Sequence, residues 1–142
     1  MPTVTPYLNF KGDCKAAIDF YARTFGGKIE FVQTFGESPA DAQPAGVSKD
    51  QIMHARLNIG GSVVMASDTP PDKYQVPQGI QLSINVDGAT DADRIFKALA
   101  EGGSVSMPIQ ETFWAERFGM CVDRFGIPWM VNAMKAMAEA TT

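Results

Sequence analysis

The stretch ETFWAERFGMCVDRFGIPWMVN, residues 111–132, holds both tryptophans, Trp114 and Trp129, and three of the nine phenylalanines. It reads as two strands, 118–122 and 127–132, around the turn Asp123-Arg124-Phe125-Gly126. Gly126 stands where such a turn asks for a positive φ. A shorter hairpin pattern lies earlier, over residues 51–59 and 62–67 around Gly60-Gly61.

The surroundings of the two hairpins match. Residues 4–10 (VTPYLNF) alternate and predict a short strand, with Tyr7 and Asn9 on one face and Leu8 and Phe10 on the other. Asp13 is a candidate N-cap for a helix. Ala17, Ile18, Tyr21 and Phe25 then recur at helical spacing, and Gly26-Gly27 stops the helix. Residues 28–35 (KIEFVQTF) alternate as a strand. The second half repeats the order: a strand over 80–86 (IQLSINV), a helix over 91–101 with Ala92, Ile95, Phe96 and Leu99 on one side, a stop at Gly102-Gly103, and a strand over 104–110. Residues 37–50 carry Pro39, Pro44 and Gly46 with no periodicity and read as a long surface loop, long enough to serve as a lid. Residues 68–79 (DTPPDKYQVPQG) hold three prolines and read as a linker. Residues 133–140 (AMKAMAEA) predict a short terminal helix.

The plan is thus βαβββ twice, over residues 1–68 and 79–132, with a helix or tail at 133–142. A single unit of about 60 residues buries too little surface for a secure core. Two units together can share a sheet and enclose a cavity. The predicted fold is α+β: one domain over 1–142, with a curved, mixed, eight-stranded sheet and the helices outside.

The 142 residues are 45% hydrophobic and 20% charged, which suits a packed core. The net charge of −4 leaves no basic stripe to neutralise phosphates, so nucleic acid is not an expected partner. No apolar run approaches the roughly 18 residues of a membrane span. Cys14 and Cys121 have no CxxC spacing and no visible His or acid partner in sequence, so neither a disulfide framework nor a thiol nucleophile is expected. With no visible signal peptide, these readings point to a reduced, cytoplasmic protein.

The plan and particular residues together resemble the vicinal oxygen chelate superfamily, which includes glyoxalase I, extradiol dioxygenases and bleomycin-resistance proteins. Within it the chain is similar to the PhnB-like group. The residues that carry the resemblance are Pro6-Tyr7-Leu8-Asn9-Phe10, Ala17-Ile18-Asp19-Phe20-Tyr21, Phe25-Gly26-Gly27, Ile52-Met53-His54-Ala55, Met65-Ala66-Ser67-Asp68, and Glu111-Thr112-Phe113-Trp114 through Phe118-Gly119 to Asp123, Gly126 and Trp129-Met130-Val131-Asn132. They cover nearly the whole chain. The resemblance implies the glyoxalase/bleomycin resistance/dioxygenase fold and a homodimer. Members of the group are often labelled a demethylubiquinone methyltransferase. The residues give that label no support, because no G-x-G-x-x-G stands between a strand and a helix. In metal-dependent relatives, four side chains on the concave sheet hold one divalent metal. Matched by motif, those positions fall on or near Tyr7 (or Pro6), His54, Gln81 and Met130. Only His54 is an ordinary ligand, so no tightly bound metal and no other cofactor is expected.

Alternation gives an independent view of the same surface. Met53, Ala55, Leu57 and Ile59 should face the helix, with His54, Arg56 and Asn58 opposite. Ile80, Leu82, Ile84 and Val86 should face the helix, with Gln81, Ser83 and Asn85 opposite. Trp129 and Val131 should be core, with Pro128, Met130 and Asn132 on the cavity side. His54, the one histidine, is a metal ligand, general base or donor to a ligand, or else a histidine satisfied within a sheet. Arg56 binds an anion bidentately or makes a salt bridge in the sheet. Trp114 caps the cavity or a dimer contact, or packs in the core. Glu111 is an acid–base group or a structural partner of the next loop.

These readings favour a binding protein. A small polar or anionic molecule would be contacted by His54, Arg56 and Gln81, with Tyr7 and Met130 at its edges and Trp114 near the mouth; no catalytic residue is assigned. The alternative is a divalent-metal lyase, isomerase or dioxygenase drawing a ligand from elsewhere, such as Glu111.

Overall fold

The expected alternation and helical spacing fold into two copies of one plan, seen in a computed structural model that describes residues 1–39 and 43–135. The chain divides between Gln75 and Val76 into two compact units. The first contains β1 (Tyr7–Phe10), α1 (Cys14–Phe25), β2 (Lys28–Thr34), β3 (Ile52–Ile59) and β4 (Ser62–Asp68). The second contains β5 (Leu82–Asn85), α2 (Ala89–Ala100), β6 (Ser104–Gln110), β7 (Ala115–Val122) and β8 (Pro128–Met134). Each unit has one four-stranded mixed sheet, ordered β1-β4-β3-β2 and β5-β8-β7-β6. In each, the first strand pairs parallel with the last and the other pairs are antiparallel.

Each helix covers one face of its own sheet. From α1, Cys14, Ala17, Ile18 and Tyr21 are buried, and the helix meets β2, β3 and β4. From α2, Ala92, Ile95, Phe96 and Leu99 are buried against β6, β7 and β8. Gly119 makes room for this contact. A Cβ there would lie 2.8 Å from the Phe96 ring and 2.9 Å from Ile109 Cα, so only glycine lets helix and edge strand both close on β7. Gly26 (φ 72°) follows α1 and Gly102 (φ 75°) follows α2, the two stops read from the double glycines. Gly126 has φ 90° in the β7–β8 turn, as that turn asks.

Five expectations need correction. Asp13 makes no side-chain cap for α1. Asp68 does that work instead: its Oδ1 accepts from the amides of Gly12 and Cys14, at 2.8 and 3.0 Å, and its Oδ2 from Ile52, at 2.8 Å. Asp68 is therefore the buried end of β4, 3% exposed, and no part of a linker. Met53 does not face the helix. Gln33 pairs with His54 but Thr34 with Ile52, so Met53 is the extra residue of a bulge and Ile52 takes the buried side. Ile80 is 76% exposed and precedes β5, with no neighbouring strand to hold it. Ala133 and Met134 continue β8 in register with Arg117 and Ala115, so no helix begins at 133; the remainder of that predicted helix, 136–140, lies outside the described residues.

The base of the long loop is pinned. Phe35–Glu37 forms a single 3-10 turn with Phe35 buried. Phe35 and Gly36 donate their amides to the carbonyls of Gln51 and Lys49, both at 2.9 Å. No described helix is long and apolar enough to cross a membrane.

Candidate functional site

In each unit the helix covers one face of the sheet, and the opposite face carries the candidate side chains. In the first unit, strand register aligns Tyr7, Met65, Arg56 and Phe31 in one cross-strand row. Gln33, paired with His54, belongs to the next row. The alternate residues Phe10, Ala55, Leu57 and Ala66 are buried on the helix side. The bulge at Met53 keeps His54 and Arg56 on the open face while turning Ile52 inward.

His54 sits within an aromatic cluster. Tyr7 Oη lies 3.0 Å from His54 Nδ1, and the two rings stack with centroids 5.7 Å apart. The Phe31 ring is tilted against the imidazole at 5.8 Å. Tyr7 and Phe31 are each 46% exposed, so an apolar surface and a polar edge are presented together. Phe31 escaped the sequence reading. Its signal was the β2 alternation, which places it and Gln33 on the His54 side.

Arg56 has a partner. Its Nε donates to Glu30 Oε1 at 2.9 Å, and Asn58 Nδ2 donates to Glu30 Oε2 at 3.3 Å. Glu30 is the extra residue of a second bulge, between the pairs Ile29–Leu57 and Phe31–Arg56, which frees it to reach both. The hydrogen bond from Arg56 holds the Glu30 carboxyl below its ordinary value. The within-sheet ion pair is thus present, on a guanidinium that remains about two-fifths exposed.

On the open face of the second unit, Ser83, Met130, Met120 and Met107 align in one row, and Asn85, Asn132, Phe118 and Gln110 in another. Gln81 is exposed and its Nε2 lies 3.6 Å from Met120 Sδ. Asn132 Nδ2 donates to Asn85 Oδ1 at 3.4 Å, while Asn132 Oδ1 is buried with no partner. Trp114 lies between β6 and β7 and makes edge contacts with Phe113 at 4.8 Å and Phe118 at 5.4 Å. It is 36% exposed and so is not core. Glu111 pairs with Lys135 Nζ at 3.1 Å, just past the end of β8 and not in the loop that follows Glu111.

The remaining candidates are structural. Asp123 Oδ1 accepts from the amides of Phe125 and Ile127, and Oδ2 from Trp129 Nε1 at 2.8 Å, so the turn acid anchors the core tryptophan. Both cysteines are buried and free. Burial, with Asp68 and Asp13 nearby, pushes the Cys14 thiol far up; burial and Asp123 push Cys121 up to about 11. Neither is a thiolate near neutrality.

The divalent set implied by the superfamily does not fit these residues. His54 already bonds Tyr7 through Nδ1, and Gln81 and Met130 supply a neutral amide and a thioether. Among the described residues, no three or more His, Cys, Asp or Glu side chains gather to hold a metal.

Comparison with known proteins follows this geometry. Residues 2–132 match the sequence model of the family described as 3-demethylubiquinone-9 3-methyltransferase. The Escherichia coli protein YjdN is 39% identical over 140 residues, covering 93% of this chain and 95% of that one. A crystal structure of a Pseudomonas aeruginosa protein is 48% identical, with a TM-score of 0.85, and covers 94% of this chain and 98% of that one. The fosfomycin resistance protein FosX from Listeria monocytogenes, at 13% identity and a TM-score of 0.63, covers 96% of each chain and shows the shared fold alone. The chain therefore belongs to this PhnB-like family, on the glyoxalase/bleomycin resistance/dioxygenase fold. The family's methyltransferase description has no counterpart in the turns: β1 enters α1 through Lys11-Gly12-Asp13 and β5 enters α2 through Val86-Asp87-Gly88, with one glycine in each.

Proposed function

We propose that this member of the PhnB-like family binds a small polar or anionic molecule on the open face of the first unit, without a tightly held divalent metal. The observation that carries the reading is the Tyr7–His54–Phe31 cluster, a polar edge between two half-exposed rings. The phenol is the more acidic partner, so it donates to Nδ1 and leaves the neutral imidazole proton on Nε2. His54 then offers a donor to the ligand, and the flanking rings offer apolar contact. Arg56, beside it in the sheet, supplies charge once an anion competes with Glu30. Gln81, Met130 and Trp114 are proposed as contacts on the second unit's own surface, the first two tested by their own variants.

The test is a thermal-shift screen of small carboxylates, phosphates and neutral polar molecules on wild type, His54→Ala and Arg56→Ala, with Gln81→Ala and Met130→Ala alongside. Hits should lose their stabilisation in His54→Ala. For an anionic hit, Arg56→Ala should cost on the order of 1.5–3 kcal/mol of binding, as for a charge-assisted hydrogen bond. Hits that stabilise all variants equally would place the site elsewhere. Elemental analysis of tag-free protein separates this reading from the metal-dependent lyase, isomerase or dioxygenase. Near-stoichiometric Zn, Ni, Mn or Fe that is lost in His54→Ala would favour the enzyme.

A further inference from the structure

Three methionines stand side by side on the second unit's open face. Met107 pairs with Met120 across β6 and β7, and Met120 with Met130 across β7 and β8. Directly opposed residues on antiparallel strands share a face, with Cβ atoms about 4.5–5.5 Å apart. All three are half-buried, so solvent reaches the row. The thioether of Met120 has a known direction. Its Sδ is 3.6 Å from Gln81 Nε2, and Gln81 immediately precedes β5, on the far side of β8. Between them the Gln81 and Met120 side chains span β8, the strand that carries Met130.

The row carries no charged side chain: its fourth member is Ser83. Two residues beyond Met130, on the same face, Asn132 Oδ1 is buried without a partner. That leaves the negative end of an amide dipole unsatisfied on the same face, one row beyond the methionines. Polarizable thioethers in number, no competing ammonium or guanidinium, and an unpartnered oxygen are what a soft monovalent cation asks for. Hard and borderline divalent ions prefer oxygen and imidazole.

We propose that Met107, Met120 and Met130 form a copper(I) site. Gln81 swings off Met120 to release its sulfur, and Asn132, on the same face, offers an oxygen. The site lies on the second unit's face and shares Gln81 and Met130 with the contacts proposed above, but copper(I) affinity is read without any small-molecule hit, so the two readings fail separately. Thioethers do not protonate, so the affinity should be flat from about pH 5 to about pH 8, whereas a thiolate or imidazole site would weaken steeply on acidification.

Tag-free protein, titrated without oxygen against copper(I) buffered by a chromogenic chelator, should bind one ion per chain. Met120→Leu and Met130→Leu keep the apolar bulk and remove the sulfur. Each should weaken binding by about 10- to 100-fold or more, a range reached by losing even the outer supports of a metal site. With methyl-labelled methionine and silver(I) as an air-stable substitute, the methyl signals of Met107, Met120 and Met130 should shift, and that of Met65 should not. Copper(I) affinity unchanged in both leucine variants would overturn the proposal. No bound copper(I) in the wild type, or affinity that falls with pH, would also overturn it.

Discussion

At the scale of the residue, His54 is the most informative atom set in the chain because it is the single histidine. Its ring gives one pair of nitrogen signals. The contact with Tyr7 predicts the Nε2–H tautomer in wild type, seen by nitrogen NMR near neutral pH. Tyr7→Phe should leave a mixture of tautomers while the fold, read by backbone amide shifts, stays intact; a pure Nε2–H signal in that variant would show that Tyr7 sets nothing. Glu30 makes the opposite prediction from its neighbour. Glu30→Gln removes the charge that competes for Arg56, so an anionic hit should bind more tightly in that variant, not less. Titration calorimetry with the same hit checks the sign. The cysteines belong here too. Their thiols are buried and held protonated, so iodoacetamide at mildly alkaline pH should label neither Cys14 nor Cys121 until denaturant is added, as read by mass.

Among the elements, the two helices and the β7–β8 hairpin were legible because their signals are local: helical spacing, a glycine stop, and strict alternation about Gly126. Asp68 was not, since proline-rich neighbours suggested a linker. Ala66, two residues before it, is buried in the structure, so Asp68 lies on the packed face, where a carboxylate needs donors. It finds three backbone amides, from the β1–α1 turn, α1 and β3. Asp68→Ala would orphan all three, a loss on the order of 3 kcal/mol or more against the 5–15 kcal/mol of a whole domain. Asp68→Asn keeps one acceptor oxygen and should lose less. Urea unfolding of the two variants checks the order, and equal losses would mean that the carboxylate does not tie these elements. A bulge explains the failure at Met53. The extra residues Glu30 and Met53 shift alternation by one, which single-strand parity cannot foresee because a bulge is defined by the partner strand.

For the molecule as a whole, the doubled βαβββ plan could be read from order alone: the double glycines and the two hairpins recur in the same sequence of elements. The candidate site was half legible. Alternation put His54, Arg56 and Met130 on open faces, as the register has them, while Gln81 precedes β5 and has no strand partner. The partners Glu30 and Met120, which decide the chemistry of Arg56 and Gln81, come from neighbouring strands and required the pairing. We expect a homodimer, as the superfamily resemblance implies; light scattering at micromolar concentration should give twice the 15.4 kDa chain mass, and the chain mass itself would refute it. The central claim is that a small molecule binds beside His54. Titration of the imidazole nitrogen and carbon-bound proton signals with any hit from the thermal screen tests it most directly. The account predicts that these signals move and saturate with the same midpoint as the thermal stabilisation. A hit that stabilises the protein while the imidazole signals stay fixed would contradict it.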